Sequence, residues 1–222
     1  MNKYQRLNTI IGWITFVIAA VVFLLTIEPT ASWWDPGEFI STTYKLQIGH
    51  PPGAPTMQLI GRVFSLFAFG DASKVAMMMN AMSALCSAFT ILFLFWVITM
   101  FAKKIVAADG EMTQSRMWTI FAAGFVGAMT FTFTDSFWFS AVEGEVYAMS
   151  AMFTSLVFWT IMKWESVADQ KHASRWIIFI ATISMTVFTP AFACWWITIP
   201  RSSSGDMTSY RCAVGSFFGS DE

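Results

Sequence analysis

Five long apolar runs divide the chain, near Ile10–Ile27, Val75–Met100, Met117–Thr134, Val146–Trp164 and Trp176–Ile199. Each is long enough to cross the roughly 30 Å hydrocarbon layer of a bilayer as a helix, and the second can also tilt. The pattern predicts an all-α, multi-spanning membrane protein with about five transmembrane helices. The segment between the first two runs, Glu28 to Ser73, is too long for a plain connector. Its second half, Thr56–Phe67, has apolar residues at roughly helical spacing but is too short and too polar to span. That half predicts an interfacial helix on the outer leaflet, entered through the extended backbone that Pro51, Pro52 and Pro55 impose. A re-entrant or buried piece of the bundle is the alternative.

Flanking residues set the expected orientation. Lys3 and Arg6 precede the first run, and Glu28-Pro29-Thr30 follows it where a cleaved signal would need small residues. A retained anchor is predicted. With the N-terminus cytoplasmic, Lys3, Arg6, Lys103, Lys104, Arg116, Lys163, Lys171 and Arg175 face inward, and Lys45, Arg62, Lys74, Arg201 and Arg211 face outward. This is the bias of a multi-pass protein of the cytoplasmic (inner) membrane. Glu28, Asp35, Glu38, Asp71, Asp135, Glu143 and Glu145 all fall outside. Acids do little to set topology, so their clustering reads as a property of a site.

Composition narrows the function classes. Of 222 residues, 56% are hydrophobic and only 12% charged, with a net charge of −1. No basic tract or phosphate loop is present, so nucleic acid is excluded as a partner and the lipid bilayer is the expected one. Cys86, Cys194 and Cys212 make no disulfide framework, and no Cys or His spacing marks a metal site. Met77–Met79 and Met82 read as packing. Asn80, Ser83 and Ser87 share one side of the second run and read as interhelical glue.

Two acidic segments carry the candidate chemistry. Asp35 and Glu38 stand three apart in Trp33-Trp34-Asp35-Pro36-Gly37-Glu38. A carboxylate shielded by indoles and lipid loses hydration, which raises its pKa and suits it to take a proton from a hydroxyl. The competing reading is an N-cap aspartate beside interfacial tryptophans. Glu143 and Glu145 flank Gly144 at the mouth of the fourth run, where the helix dipole alone favours acids. Because both segments face one compartment, they are predicted to form one site. Paired acids also suit Mg²⁺ or Mn²⁺ held with substrate phosphates, although the ligand count stays open. His50 is a hydrogen-bond partner for phosphate or sugar, or a polar stop before the proline pair.

Asp35-Pro36-Gly37-Glu38-Phe39, Tyr44-Lys45-Leu46 and Gly49-His50-Pro51-Pro52-Gly53 resemble the bacterial membrane family known as domain of unknown function 2723. That family is similar to protein O-mannosyltransferases, of the C-type glycosyltransferase fold. The resemblance implies transfer of a sugar from a polyprenyl-phosphate donor to a hydroxyl of a protein acceptor on the extracytoplasmic side. It implies Asp35 and then Glu38 as the catalytic acids, with Lys45, His50, Arg62, Glu143, Glu145 and Tyr147 binding substrate. The two acids are separated here, where the family's motif has them adjacent. The resemblance covers about Ile10 to Trp176, so the chain divides into a family transmembrane domain, 1–181, and an atypical last span with a polar tail, 182–222. The loss of pattern beyond Ala181 points to a truncated or frame-shifted member, and such a fragment can be inactive even where its parent family is enzymatic. Transport and a noncatalytic role in envelope assembly are the rival classes. Against transport, the acids lie at span ends and the spans lack the Gly/Pro interruptions of broken helices.

Overall fold

In a computed structural model of the chain, helix is the only regular secondary structure among the described residues, which are 3–33, 35–47, 49, 54–108, 110–168, 175, 176 and 179. The helices are α1 (Lys3–Leu25), α2 (Pro36–Lys45), α3 (Pro55–Ser65), α4 (Val75–Val106), α5 (Gln114–Thr132), α6 (Asp135–Val142) and α7 (Val146–Glu165). Single 3₁₀ turns at Leu66–Ala68 and Ala72–Lys74 join α3 to α4. All of these residues belong to one unit, Met1–Thr189.

α1, α4 and α7 are each long and apolar enough to cross a membrane. α4 is the axis of the bundle and packs against α1, α5 and α7. Its 32 residues contain no glycine or proline, and at 1.5 Å per residue they extend about 48 Å. Lys103 and Lys104 in its last turn complement the negative end of the helix dipole.

Its faces build separate cores. On one side Ala84, Ala88, Ile91 and Phe95 meet Ala19, Ala20 and Phe23 of α1, Ala128 of α5, and Phe137 and Ala141 of α6. On another, Val75, Met79, Met82 and Cys86 meet Phe39 and Ile40 of α2, Met57 of α3, and Ala148 and Met149 of α7. The methionines are therefore core, with Met79 and Met82 fully buried.

The third predicted span is not a straight helix running to Thr134. α5 stops at Thr132, and α6 leaves it at a bend of 67°, so the pair forms one broken span or a re-entrant element. No proline or glycine lies at the break. Thr132 donates to the Ala128 carbonyl (2.9 Å) and Thr134 to that of Phe131 (2.8 Å). Such back-bonds bend helices, and the Thr-Phe-Thr-Phe-Thr alternation of 130–134 disfavours continuing one. The acidic segment after it, expected to be loop, is mostly the short helix α6. With α5 and α6 counted together, the described residues hold three to four spans. The fifth predicted span and the 182–222 segment lie outside the described residues, except for Trp176 and Phe179 of the former.

The first long loop is more helical than expected. α3 (Pro55–Ser65) is the helix expected over Thr56–Phe67, with Pro55 at its start, and α2 is a helix over its full Pro36–Lys45 length where only its start was expected. α2 ends at Leu46 in the left-handed region (φ 51°), where the Gln47 N–H donates to the Thr42 carbonyl (2.8 Å). A leucine rarely occupies that region, so the turn is strained and held by its surroundings. α2 and α3 pack as a pair on α4, in close contact at Gly61. A Cβ there would lie 2.7 Å from Thr43 Cγ2 and 2.6 Å from Met79 Cε.

Candidate functional site

The start of α2, the α6–α7 turn and the first turns of α4 meet at one end of the bundle. Ser32, between α1 and α2, lies in the same connecting segment as Glu28 and Thr30, and that segment is tied down by backbone bonds. The Asn80 amide of α4 donates to the carbonyls of Glu28 (2.6 Å) and Thr30 (3.0 Å). The Glu28 N–H then donates to the Val142 carbonyl at the end of α6 (3.3 Å). On the other side, Gly144 sits directly on Asn80 and Ile40 of α2. A Cβ at Gly144 would fall 2.8 Å from Asn80 Oδ1 and 3.5 Å from Ile40 Cγ1. The backbone that leads into the first acidic segment and that of the second are thus knitted through one buried asparagine. Asn80 is not glue between helices; its partners are loop carbonyls.

Asp35 occupies the N-cap position of α2, but its side chain caps nothing. Its main-chain carbonyl accepts from the N–H groups of Glu38 (2.9 Å) and Phe39 (3.1 Å), which leaves the half-buried carboxylate available for other work. Trp33 is 94% exposed and does not cover Asp35 as the expected indole shield would. Trp34 lies outside the described residues.

Glu143 is the C-cap of α6 and only 6% exposed. That is the negative end of a helix, so the dipole account offered for this acid does not apply to it. Glu145 is the N-cap residue of α7, again without a capping hydrogen bond. Burial, then the Glu143 carboxylate, then that of Asp35, push the Glu145 carboxyl above its ordinary pKa. Asp35 and the Glu143–Glu145 pair therefore lie within electrostatic reach of each other. Among the described residues, no ion pair or hydrogen bond engages the side chain of Asp35, Glu143 or Glu145. Nor do three acids, imidazoles or thiols there stand close enough to hold a metal ion together.

The remaining predicted residues spread around this centre. Glu38, in the first turn of α2, faces the Gly49 backbone, with its Oε1 3.5 Å from the position a Cβ there would take, beside Gln58 and Thr42. Lys45 is exposed in the last turn of α2. The Arg62 guanidinium on α3 covers the Tyr44 ring of α2 at 5.1 Å, which joins the two helices, and donates to Ser65 Oγ within α3 (3.2 Å). Tyr147 is exposed and, with Phe131, Thr134, Ser136, Phe137 and Ser140, lines a shallow groove of about 260 Å³ along α6. His50, with Pro51, Pro52 and Gly53, lies outside the described residues.

Residues 35–199 match the family described as Protein O-mannosyl-transferase TMEM260 N-terminal domain. The chain belongs to this family. The match begins at Asp35 and takes in every acid of the centre just described, as well as Asn80. Among relatives, the chain is 22% identical over 179 residues to Protein O-mannosyl-transferase tmem260 of Dictyostelium discoideum, covering 81% of this chain. It is 27% identical over 161 residues to Protein O-mannosyl-transferase TMEM260 of Mus musculus, covering 72% of this chain. In both cases the match takes in 20% of the relative, so the chain spans about a fifth of the length of the curated relatives it matches. No solved structure matches. For the TMEM260 N-terminal family, then, this chain presents a helical membrane domain with an acidic centre at one end.

Proposed function

We propose that this chain forms the membrane-embedded site of a glycosyltransferase that moves a mannose-like sugar from a polyprenyl-phosphate donor to a Ser or Thr hydroxyl of a protein. The chain lies in a bacterial cytoplasmic membrane, as a member of the domain-of-unknown-function 2723 group, with its N-terminus cytoplasmic and its acids extracytoplasmic. The acceptor oxygen attacks C1 of the sugar from the face opposite the phosphate. The C1–O bond to phosphate breaks, configuration inverts, and polyprenyl phosphate departs with the bonding pair. Asp35 takes the hydroxyl proton, and Glu38 is the second candidate for that role. Lys45 or Arg62 neutralises the departing phosphate, whose charge must be stabilised as it develops. Glu143, Glu145 and Tyr147 orient the acceptor, and His50 bonds the sugar or phosphate.

One observation carries this reading: acids from two separate segments converge at the end of the bundle, with no ion pair to Asp35, Glu143 or Glu145 among the described residues, in a family whose relatives are named O-mannosyl-transferases. Carboxylates left unpaired beside a bilayer tend to be functional. The decisive experiment is Asp35→Asn, measured as hexose on Ser and Thr of acceptor proteins by mass spectrometry. Removal of a general base should lower transfer by about 10²–10⁴-fold, with membrane abundance unchanged. Wild-type transfer by that variant would refute the role of Asp35.

Transport is the second reading, and the bent α5–α6 pair favours it, because broken helices place their ends at solute sites. Uptake or current in reconstituted vesicles that disappears with Glu143→Gln would select it over sugar transfer.

A further inference from the structure

We infer that Asn80 is a positioning residue, the clasp that holds Asp35 in register with Glu143 and Glu145. The inference rests on the transferase reading above, for which it adds a residue that touches neither reacting atom nor substrate.

Asn80 lies in the second turn of α4 and is 1% exposed. A lone amide in so apolar a helix is costly unless it is bonded, and the more so beside lipid. Its amide nitrogen uses both hydrogens on main-chain carbonyls of the first segment, at Glu28 and Thr30. Those carbonyls lie in irregular backbone just beyond α1, where no helix supplies partners. Asn80 therefore fixes the path of the chain that leads into Asp35. Its oxygen is buried without a hydrogen-bond partner and presses on Gly144, between the two glutamates. Only a residue without a side chain fits at that contact. The Glu28 N–H to Val142 carbonyl bond closes the loop on the far side. One side chain thus bonds the backbone that leads into the first acidic segment and lies against Gly144 of the second.

Two variants separate this role from plain stability. Asn80→Leu keeps the volume and suits an apolar helix, while Asn80→Asp keeps the shape and removes the amide donors. The full chain, with Cys86, Cys194 and Cys212 replaced by Ala, would carry spin labels at the exposed positions Ser41 on α2 and Ser150 on α7. In membranes the wild-type distance distribution should be narrow. Both variants should broaden or lengthen it and should lower kcat for hexose transfer at least tenfold, with the donor KM unchanged. An unchanged distance distribution in Asn80→Leu would overturn the clasp. So would a broadened distribution with full kcat, or a loss confined to membrane abundance. The label distance reads the clasp whether or not Asp35 is the base, so failure of the transferase reading would show separately, in Asp35→Asn.

Discussion

The three acids of the candidate site and the charges at the opposite end of the bundle are treated in opposite ways, although near those acids Lys74 still pairs with Asp71 (3.1 Å) just before α4. At the end that carries the start of α1, charges are matched. Lys104 of α4 pairs with Glu165 of α7, and Lys3 donates to Gln114 of α5. Arg116 donates to the Glu111 carbonyl (3.0 Å), while Lys103 and Lys163 lie over the rings of Tyr4 and Trp159. At the opposite end Asp35, Glu143 and Glu145 gather without such partners, and the one polar side chain that organises them bonds only to backbone. The first arrangement stabilises a helix bundle and adds no reactivity. The second costs stability and leaves carboxylates free to meet a substrate. On the proposed reading, a carboxylate that accepts a proton is better left without such a pair.

Breaking the acidic end should have the larger effects. The strongest after Asp35→Asn is Gly61→Ile, which drives a branched side chain into Thr43 and Met79 where α2 and α3 rest on α4. Overpacking of this kind costs about 1–3 kcal/mol. A thermal unfolding curve in detergent should show the lowered midpoint, and transfer should fall with it because α2 carries Asp35. An unchanged midpoint would mean that the α2–α3 pair is not packed as described.

A subtler change sharpens the contrast. The Glu145 carboxyl binds its proton more tightly in the folded protein than in the unfolded chain, because burial, Glu143 and Asp35 disfavour its charge. Over the window between the ordinary carboxylate value and the raised one, the native state holds more protons. Stability therefore falls as pH rises through that window, and the penalty is complete above it. Glu145→Gln should remove this slope, so that the variant melts higher than wild type at pH 8, by no more than about 2 °C at so solvent-screened a position. Below the window the two should melt together. Equal melting at both pH values would remove the electrostatic coupling.

The smallest effect belongs to the matched end. Both side chains of the Lys104–Glu165 pair are about half exposed (50% and 53%). Lys104→Ala should cost at most about 1 kcal/mol and less in high salt, with transfer unaffected. A loss of transfer there would erase the distinction between the ends.

Much of this was legible in the residues. Long apolar runs found α1, α4 and α7, and helical spacing after Pro55 found α3, but α1 begins at Lys3 and not Ile10, and α4 runs past Met100 to Val106. The meeting of the two acidic segments was also foreseeable, since both follow or precede spans on one side. Of α2 only the start is legible, as the helix that an N-cap Asp35 would open, because ten residues with Thr42 and Thr43 among them have little intrinsic helicity and depend on packing against α3 and α4. The break between α5 and α6 carries no proline or glycine to announce it. Its signal is the alternation of threonine and phenylalanine, which reads as extended chain or loop and here bends a helix. Asn80 stood out as a polar residue in an apolar run. Its true partners are main-chain carbonyls about 50 residues earlier, and every residue type carries those.

The length of α4 has a further consequence. A helix of about 48 Å cannot be submerged in a hydrocarbon layer of roughly 30 Å unless it leans steeply or projects from it. Its first turns hold the platform on which the acids sit, so the elevation of those acids above the acyl chains follows the inclination of this one rod. Lipids of different tail length should raise or lower that platform and, with it, its reach toward any prenyl chain anchored in the same leaflet.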